Sequence, residues 1–169
     1  ETFVTCGSSS LTQVIAARRI PIAEKTIVDL TESMGVKDKK DVFGVDPGLE
    51  LSQLAKVATE LGKKYSFTVV KKQIRSKADF DEFVRDVEKV GSDTGVDIII
   101  NYHSPIVTRP GAGHFTPVGG VNTHTREVLM SEANLASNPP YWTSFRTIFE
   151  AMAAPGPEGS RGYLLIQWH

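Results

Sequence analysis

The chain has 169 residues, enough for one domain with a real core, and 40% hydrophobic against 23% charged residues is an ordinary globular balance. A formal net charge of -1 gives no sign of a nucleic-acid or anionic-membrane partner, and no apolar run approaches the roughly 20 residues of a membrane helix. The single cysteine excludes an intrachain disulfide and fits a reducing intracellular compartment, cytoplasm or an organelle.

The first residue is Glu1 rather than Met, so the chain is expected to be processed, truncated or partial, with part of its N-terminal portion missing; no secretory or transit-like segment is visible. Cys6 to Arg18 is expected as a helix, with Leu11, Val14, Ile15 and Arg18 on one stripe and Ser8 to Ser10 as first-turn caps. A second helix runs from Ala23 to Met34 with Ile27, Leu30 and Met34 on one face. Residues 37–47 read as polar and turn-rich, with Asp46-Pro47-Gly48 as a turn signal. A third helix spans Leu51 to Leu61, with Leu51, Leu54, Ala58 and Leu61 at helical spacing and Gly62 as C-cap.

Ser66 to Lys71 reads as a strand, and a fourth helix, capped near Ser76, covers Lys77 to Val90 with Phe80, Phe83, Val84 and Val87 inward. Val96 to Tyr102 contains Ile98-Ile99-Ile100 and reads as a buried central strand. His114 to Val121 and Glu127 to Met130 form an antiparallel hairpin across residues 122–126, with His124 at its tip. Asn138-Pro139-Pro140 breaks the chain, and Tyr141 and Trp142 are expected in a rigid packed corner. Ser144 to Ala153 reads as a short helix and Tyr163 to Gln167 as the last strand. Helices first and antiparallel strands later argue for an α+β fold, taken as one domain over residues 1–169.

Three groups stand out chemically. Cys6 heads the first predicted helix, His114 follows the turn Gly111-Ala112-Gly113, and Glu132 lies eighteen residues further on. A thiolate is the reactive form of cysteine, and a helix N-terminus with a neighbouring imidazolium favours it; a third group fixes the imidazole's tautomer. A lone cysteine is more often a small buried hydrophobe than a catalyst. His103 is expected as a surface or packed histidine. No His, Cys or carboxylate set has structural-metal spacing, so no built-in metal is expected.

Gly113-His114-Phe115-Thr116-Pro117-Val118-Gly119-Gly120, Asn138-Pro139-Pro140-Tyr141-Trp142, Phe149-Glu150-Ala151-Met152 and Arg161-Gly162-Tyr163, with Cys6-Gly7 before an apolar helix, resemble the phytochelatin synthase family in order and spacing. That resemblance implies a papain-like cysteine proteinase fold and a cysteine transpeptidase. It assigns Cys6 as nucleophile, His114 as base and acid, Glu132 as orienting carboxylate, and Gly7, Gly113 and Thr116 to the substrate. The implied chemistry removes glycine from glutathione or a γ-glutamyl thiol peptide through a Cys6 thioester and passes the acyl group on. Cadmium or zinc would enter only as a thiolate substrate complex. Glu132 stands where the family pattern has Asp, Leu135 where it has Arg, and Thr5 where a Tyr often stands. The pattern's Gln six residues before the cysteine falls before Glu1. These departures leave open a second reading, a non-catalytic domain serving in a homodimer or larger assembly.

Overall fold

A computed structural model describes residues 6–36, 39–40, 47–90, 94–109, 111–132 and 139–169. In chain order these form α1 (Cys6–Ala17), α2 (Glu24–Ser33), β1 (Lys39–Lys40), β2 (Pro47–Gly48), α3 (Leu51–Tyr65), β3 (Phe67–Gln73), α4 (Phe80–Val87), β4 (Val96–His103) and β5 (Gly113–Asn122). There follow β6 (Glu127–Met130), β7 (Tyr141–Ser144), α5 (Phe145–Ala153), β8 (Pro155–Gly156), β9 (Gly159–Ser160) and β10 (Gly162–Trp168). Six strands make one antiparallel sheet in the order β3-β10-β4-β5-β6-β7. The architecture is α+β.

Alternation along β4 assigns each face of the sheet its own core, because successive side chains of a strand point to opposite sides. Ile98, Ile100 and Tyr102 join Phe83 and Val87 of α4 and Phe145, Ile148 and Met152 of α5. Ile99 points the other way, with Phe115, Leu164 and Ile166, to meet Leu11, Val14 and Ile15 of α1 and Leu51, Leu54 and Leu61 of α3. The helical stripes expected from the sequence are buried or partly buried, with two exceptions: Met34 lies past the end of α2 and is exposed, and Arg18 lies beyond the end of α1 and pairs with Asp97 at 2.9 Å. Burying helices against both faces is the main stabilising term, at about 25 cal/mol per Å² of apolar surface removed from water.

Several expected details differ. Ser8 to Ser10 do not cap α1: Ser10 Oγ donates back to the Cys6 carbonyl at 2.6 Å, and Ser9 Oγ donates to Glu24 of α2. The helix already begins at Cys6, so these hydroxyls sit inside it, where the carbonyl one turn back is the available partner. Gly62 is not a C-cap. Helix α3 continues to Tyr65 and closes on Ser66, which takes the left-handed conformation at φ 62°. Gly62 is required because a Cβ there would lie 2.3 Å from the Phe67 carbonyl oxygen, where the chain doubles back into β3. Gly162 has the same need, since a Cβ would lie 2.0 Å from the Lys72 oxygen of the neighbouring strand.

The fourth helix starts as a 3-10 turn at Lys77–Asp79, capped by Ser76 Oγ accepting from Ala78 N at 3.2 Å, and its regular part stops at Val87. The predicted corner at Tyr141 and Trp142 is strand β7, pairing with β6, and Trp142 is 50% exposed. Of the polar segment before α3, Lys39–Lys40 pairs with Pro47–Gly48, while Asp46 lies outside the described residues. Asn138 lies outside them too. His124 sits in the β5–β6 turn, as expected, where Asn122 Oδ1 accepts from its backbone N–H at 3.1 Å.

One buried polar cluster ties α4 to the sheet. Asp86 is 3% exposed and accepts from Lys72 Nζ at 2.7 Å, Lys89 Nζ at 2.9 Å and Tyr163 Oη at 2.9 Å. Burial alone would raise its carboxyl, but these donors outweigh it and hold it below the usual carboxylate range. A carboxyl depressed in the folded state stabilises the fold above the unfolded-state pKa and loses that contribution as pH falls through the folded one. Asp86→Asn is expected to cost about 3 kcal/mol at pH 7, because it removes the buried charge shared by Lys72, Lys89 and Tyr163, with Lys72 keeping only Glu82 at 2.6 Å. Urea denaturation at pH 7 and again below pH 4 checks this: the difference from the parent chain should shrink in acid.

Candidate active site

Cys6 is the first residue of α1 and is partly buried. A helix N-terminus carries the partial positive charge of its unpaired N–H groups, so an anion there is favoured. Helix α1 packs along β5, and this contact brings the sulfur to His114, the second residue of that strand. Cys6 stands close enough to His114 for its thiol to act on the ring.

The other side of the ring is equally committed. His114 Nε2 lies 2.7 Å from Glu132 Oε2, leaving Nδ1 as the nitrogen for the thiol. The β5–β6 hairpin makes this approach possible: Val118 pairs with Met130, Ser131 N donates to the Pro117 carbonyl at 3.0 Å, and Glu132 follows directly. Burial disfavours the imidazolium, yet hydrogen bonds and charge from Cys6 and Glu132 overcome it and push His114 up to about 10. Glu132 is 4% exposed, and burial would raise its carboxyl. Hydrogen bonds from His114 and Tyr102, with the imidazolium's charge, bring it below the ordinary range instead.

Behind this set stand two residues that sequence reasoning did not single out. Tyr102, fully buried on β4, donates its hydroxyl to Glu132 Oε1 at 2.9 Å. Its ring meets that of His114 edge-on, with centroids 5.6 Å apart, as expected for residues paired directly across β4 and β5. Tyr141 Oη lies 3.0 Å from Tyr102 Oη, and the Arg109 guanidinium covers the Tyr141 ring at 4.2 Å. Burial pushes the Tyr102 phenol above its usual range, so it remains a proton donor. The available signal was a tyrosine just after Ile98-Ile99-Ile100 in the central strand, since a buried phenol needs a partner.

The residues expected at the substrate are placed differently from one another. Gly113 is exposed beside His114 with the Arg161 guanidinium beneath it: a Cβ there would lie 3.2 Å from Arg161 Nη2. Gly7 is buried against α3, where a Cβ would come within 3.2 Å of Leu54 and 3.3 Å of Leu49. Only its backbone faces the head of α1. Thr116 has 0% exposure, and its hydroxyl is turned toward Glu132 and Tyr102 without reaching hydrogen-bond geometry with any described residue. A side chain buried to that degree supports the carboxylate and presents no surface to a substrate.

His103, at the end of β4 opposite Gly113, is not part of the set. Its Nδ1 is buried without a partner among the described residues, and burial together with the Arg161 charge keeps the ring below its ordinary pKa. Leu135 lies outside the described residues, as does Thr5. Among the described residues no group of three His, Cys, Asp or Glu could hold a metal ion, and no helix is long and apolar enough to cross a membrane.

A partly buried thiol at a helix head, beside an imidazole that is bonded to a carboxylate, is equipped for acyl transfer through the sulfur. The family model of phytochelatin synthase matches residues 1–163. The chain belongs to the phytochelatin synthase family. It is 26% identical over 173 residues to glutathione gamma-glutamylcysteinyltransferase 1 of Arabidopsis thaliana, covering 95% of this chain and 33% of that protein. A second Arabidopsis thaliana relative, glutathione gamma-glutamylcysteinyltransferase 2, is 26% identical over 174 residues, with 95% and 36% covered. This phytochelatin synthase family chain thus spans about a third of the length of the curated relatives it matches.

The fold is that of papain-like peptidase domains. The peptidase domain of Streptococcus ComA, a bifunctional ABC transporter of a quorum-sensing pathway, superposes with a TM-score of 0.58 at 12% identity, covering 100% of this chain and 95% of that one.

Proposed function

We propose that the chain carries out cysteine-dependent acyl transfer or hydrolysis on glutathione or related γ-glutamyl thiol peptides. The observation that supports this most directly is the Cys6–His114–Glu132 alignment, assembled from the head of α1, the start of β5 and the segment after β6. The family membership and the names of the Arabidopsis relatives supply the substrate class.

In this reading the Cys6 thiolate attacks the carbonyl of the Cys–Gly peptide bond. The C–N bond breaks, His114 gives its Nδ1 proton to the departing glycine amine, and γ-glutamylcysteine remains as a thioester on Cys6. His114, now neutral, takes a proton from water or from the amino group of a second thiol peptide as that acceptor attacks, and the thiolate is regenerated. The first-turn amides of α1, at Cys6 and Gly7, have no partner within the helix and can donate to the developing oxyanion. Gly113, open beside His114, leaves room for the peptide. Cadmium or zinc belongs to the substrate side, carried by the thiolates of the peptide.

Incubation with glutathione, with and without cadmium, tests the proposal by intact mass and glycine release. The expected result is glycine released by the parent chain and a γ-glutamylcysteinyl adduct that disappears with Cys6→Ala. A folded chain that alkylates at Cys6 but releases no glycine and forms no adduct would overturn it in favour of a binding or structural role.

A further inference from the structure

We propose that Tyr102 and Tyr141 form a two-phenol clamp that positions Glu132 for its work on His114. A glutamate has three side-chain torsions, and its Oε2 reaches His114 usefully only if the whole side chain is held. Oε1 is where it is held: Tyr102 Oη donates to it at 2.9 Å while Oε2 lies 2.7 Å from His114 Nε2, so the carboxylate is gripped at both oxygens. The anchor is rigid. Tyr102 is fully buried on β4, a strand paired on both sides, and its ring is packed edge-on against His114 itself.

A phenol has one proton, and Tyr102 can give it either to Glu132 or to Tyr141. Tyr141 settles the direction by donating to Tyr102 across 3.0 Å, which leaves the Tyr102 proton for the carboxylate. The reverse order would turn a lone pair of Tyr102 toward an anion. Tyr141 comes from β7 and its ring lies under the Arg109 cation, which favours electron-poor, proton-donating phenol. The clamp therefore joins the sheet's central strand to its edge and ends on the catalytic ring without either phenol touching the sulfur.

The test is a mutant cycle on the full chain with Tyr102→Phe, Tyr141→Phe, Glu132→Ala and Tyr102→Phe/Glu132→Ala. Two readouts are used: glutathione turnover, which rests on the function proposed above, and the pH profile of Cys6 carbamidomethylation by iodoacetamide, which does not. Tyr102→Phe is expected to lower kcat about ten- to a hundredfold, since misplacement of the order of 1 Å has that effect, with KM changed by less than about twofold. Tyr141→Phe should act in the same direction with a smaller loss. In the Glu132→Ala background, Tyr102→Phe should change either rate by less than about twofold, because the residue it acts through is gone. Losses that multiply instead, or a Tyr102→Phe chain of intact circular dichroism whose alkylation profile matches the parent, would overturn the clamp. Should Tyr102→Phe not fold, Tyr141→Phe, at a half-buried position, carries the same cycle. If glutathione is not turned over at all, the alkylation arm still decides the clamp.

Discussion

Replacing His114 by Ala is expected to lower acyl transfer by about 10⁶, and adding Cys6→Ser should cost almost nothing more, because groups that act as one unit are not additive when removed. The imidazole performs three tasks that no other described residue shares. In the proposed reaction it stands beside the sulfur, supplies the positive charge that favours a thiolate, and returns the proton to the leaving amine. With its pKa pushed up to about 10, the ring is a cation throughout the neutral range and loses its charge only as pH rises through that value. Alkylation of Cys6 at neutral pH is therefore expected to be faster in the parent chain than in a chain that lacks this charge. In His114→Ala, with that charge gone, the rate at pH 7 should drop and its dependence on pH should differ from the parent's. Rates of carbamidomethylation by iodoacetamide between pH 5 and 10, with glycine release measured alongside, check both parts. Identical profiles for the two chains would remove the imidazole from the chemistry.

How far these features could be seen in advance depends on whether each is local. The periodic positions Leu11, Val14 and Ile15, and Leu51, Leu54, Ala58 and Leu61, are buried together because a helix repeats within a few residues and its apolar stripe has one use. The hairpin ending at Met130 was equally legible, since turn residues and alternating strands lie side by side. The end of α3 was not. Gly62 resembles a helix stop in sequence, but its real constraint is the Phe67 carbonyl packed against it after the chain reverses. Strand β7 was hidden for a similar reason: Pro139-Pro140 marks a break, whereas the pairing of Tyr141 with Met130 is set by a strand eleven residues upstream. Nor does local pattern indicate that β3, which follows α3, pairs with β10 at the far end of the chain.

The site divides along the same line. Cys6, His114 and Glu132 carry recognisable neighbours, and the structure brings the three together. Thr116 carries an equally recognisable neighbourhood and yet is sealed beneath the strand, because exposure at a given position depends on which face the sheet covers. Tyr102 and Tyr141 belong to different strands, thirty-nine residues apart, and their contact exists only after β4, β5, β6 and β7 are laid side by side.

Glu132→Ala is the second large effect, with an expected loss of about 10⁴ in kcat, the scale seen when the orienting acid of a comparable unit is removed. Two costs combine. The imidazolium loses its counter-charge, and Nε2–H loses the acceptor that keeps Nδ1 turned to the sulfur. Glu132→Gln separates them. Its amide oxygen can still accept from Nε2–H, as in Cys-His-Asn sites, so orientation survives while the charge is lost. The amide nitrogen then faces Tyr102 Oη as a donor, which is tolerable only if Tyr102 reverses and donates to Tyr141. Glu132→Gln is accordingly expected to retain about ten- to a hundredfold more activity than Glu132→Ala. Glu132→Asp keeps the charge but shortens the reach by one methylene from a fixed backbone, and a shortfall of that size costs on the order of 10²-fold. Steady-state kinetics with glutathione for the three variants, each paired with its Cys6 alkylation profile, provides the measurement. Glu132→Ala within about tenfold of the parent would mean that His114 is oriented by packing against Tyr102 alone, with the carboxylate a bystander.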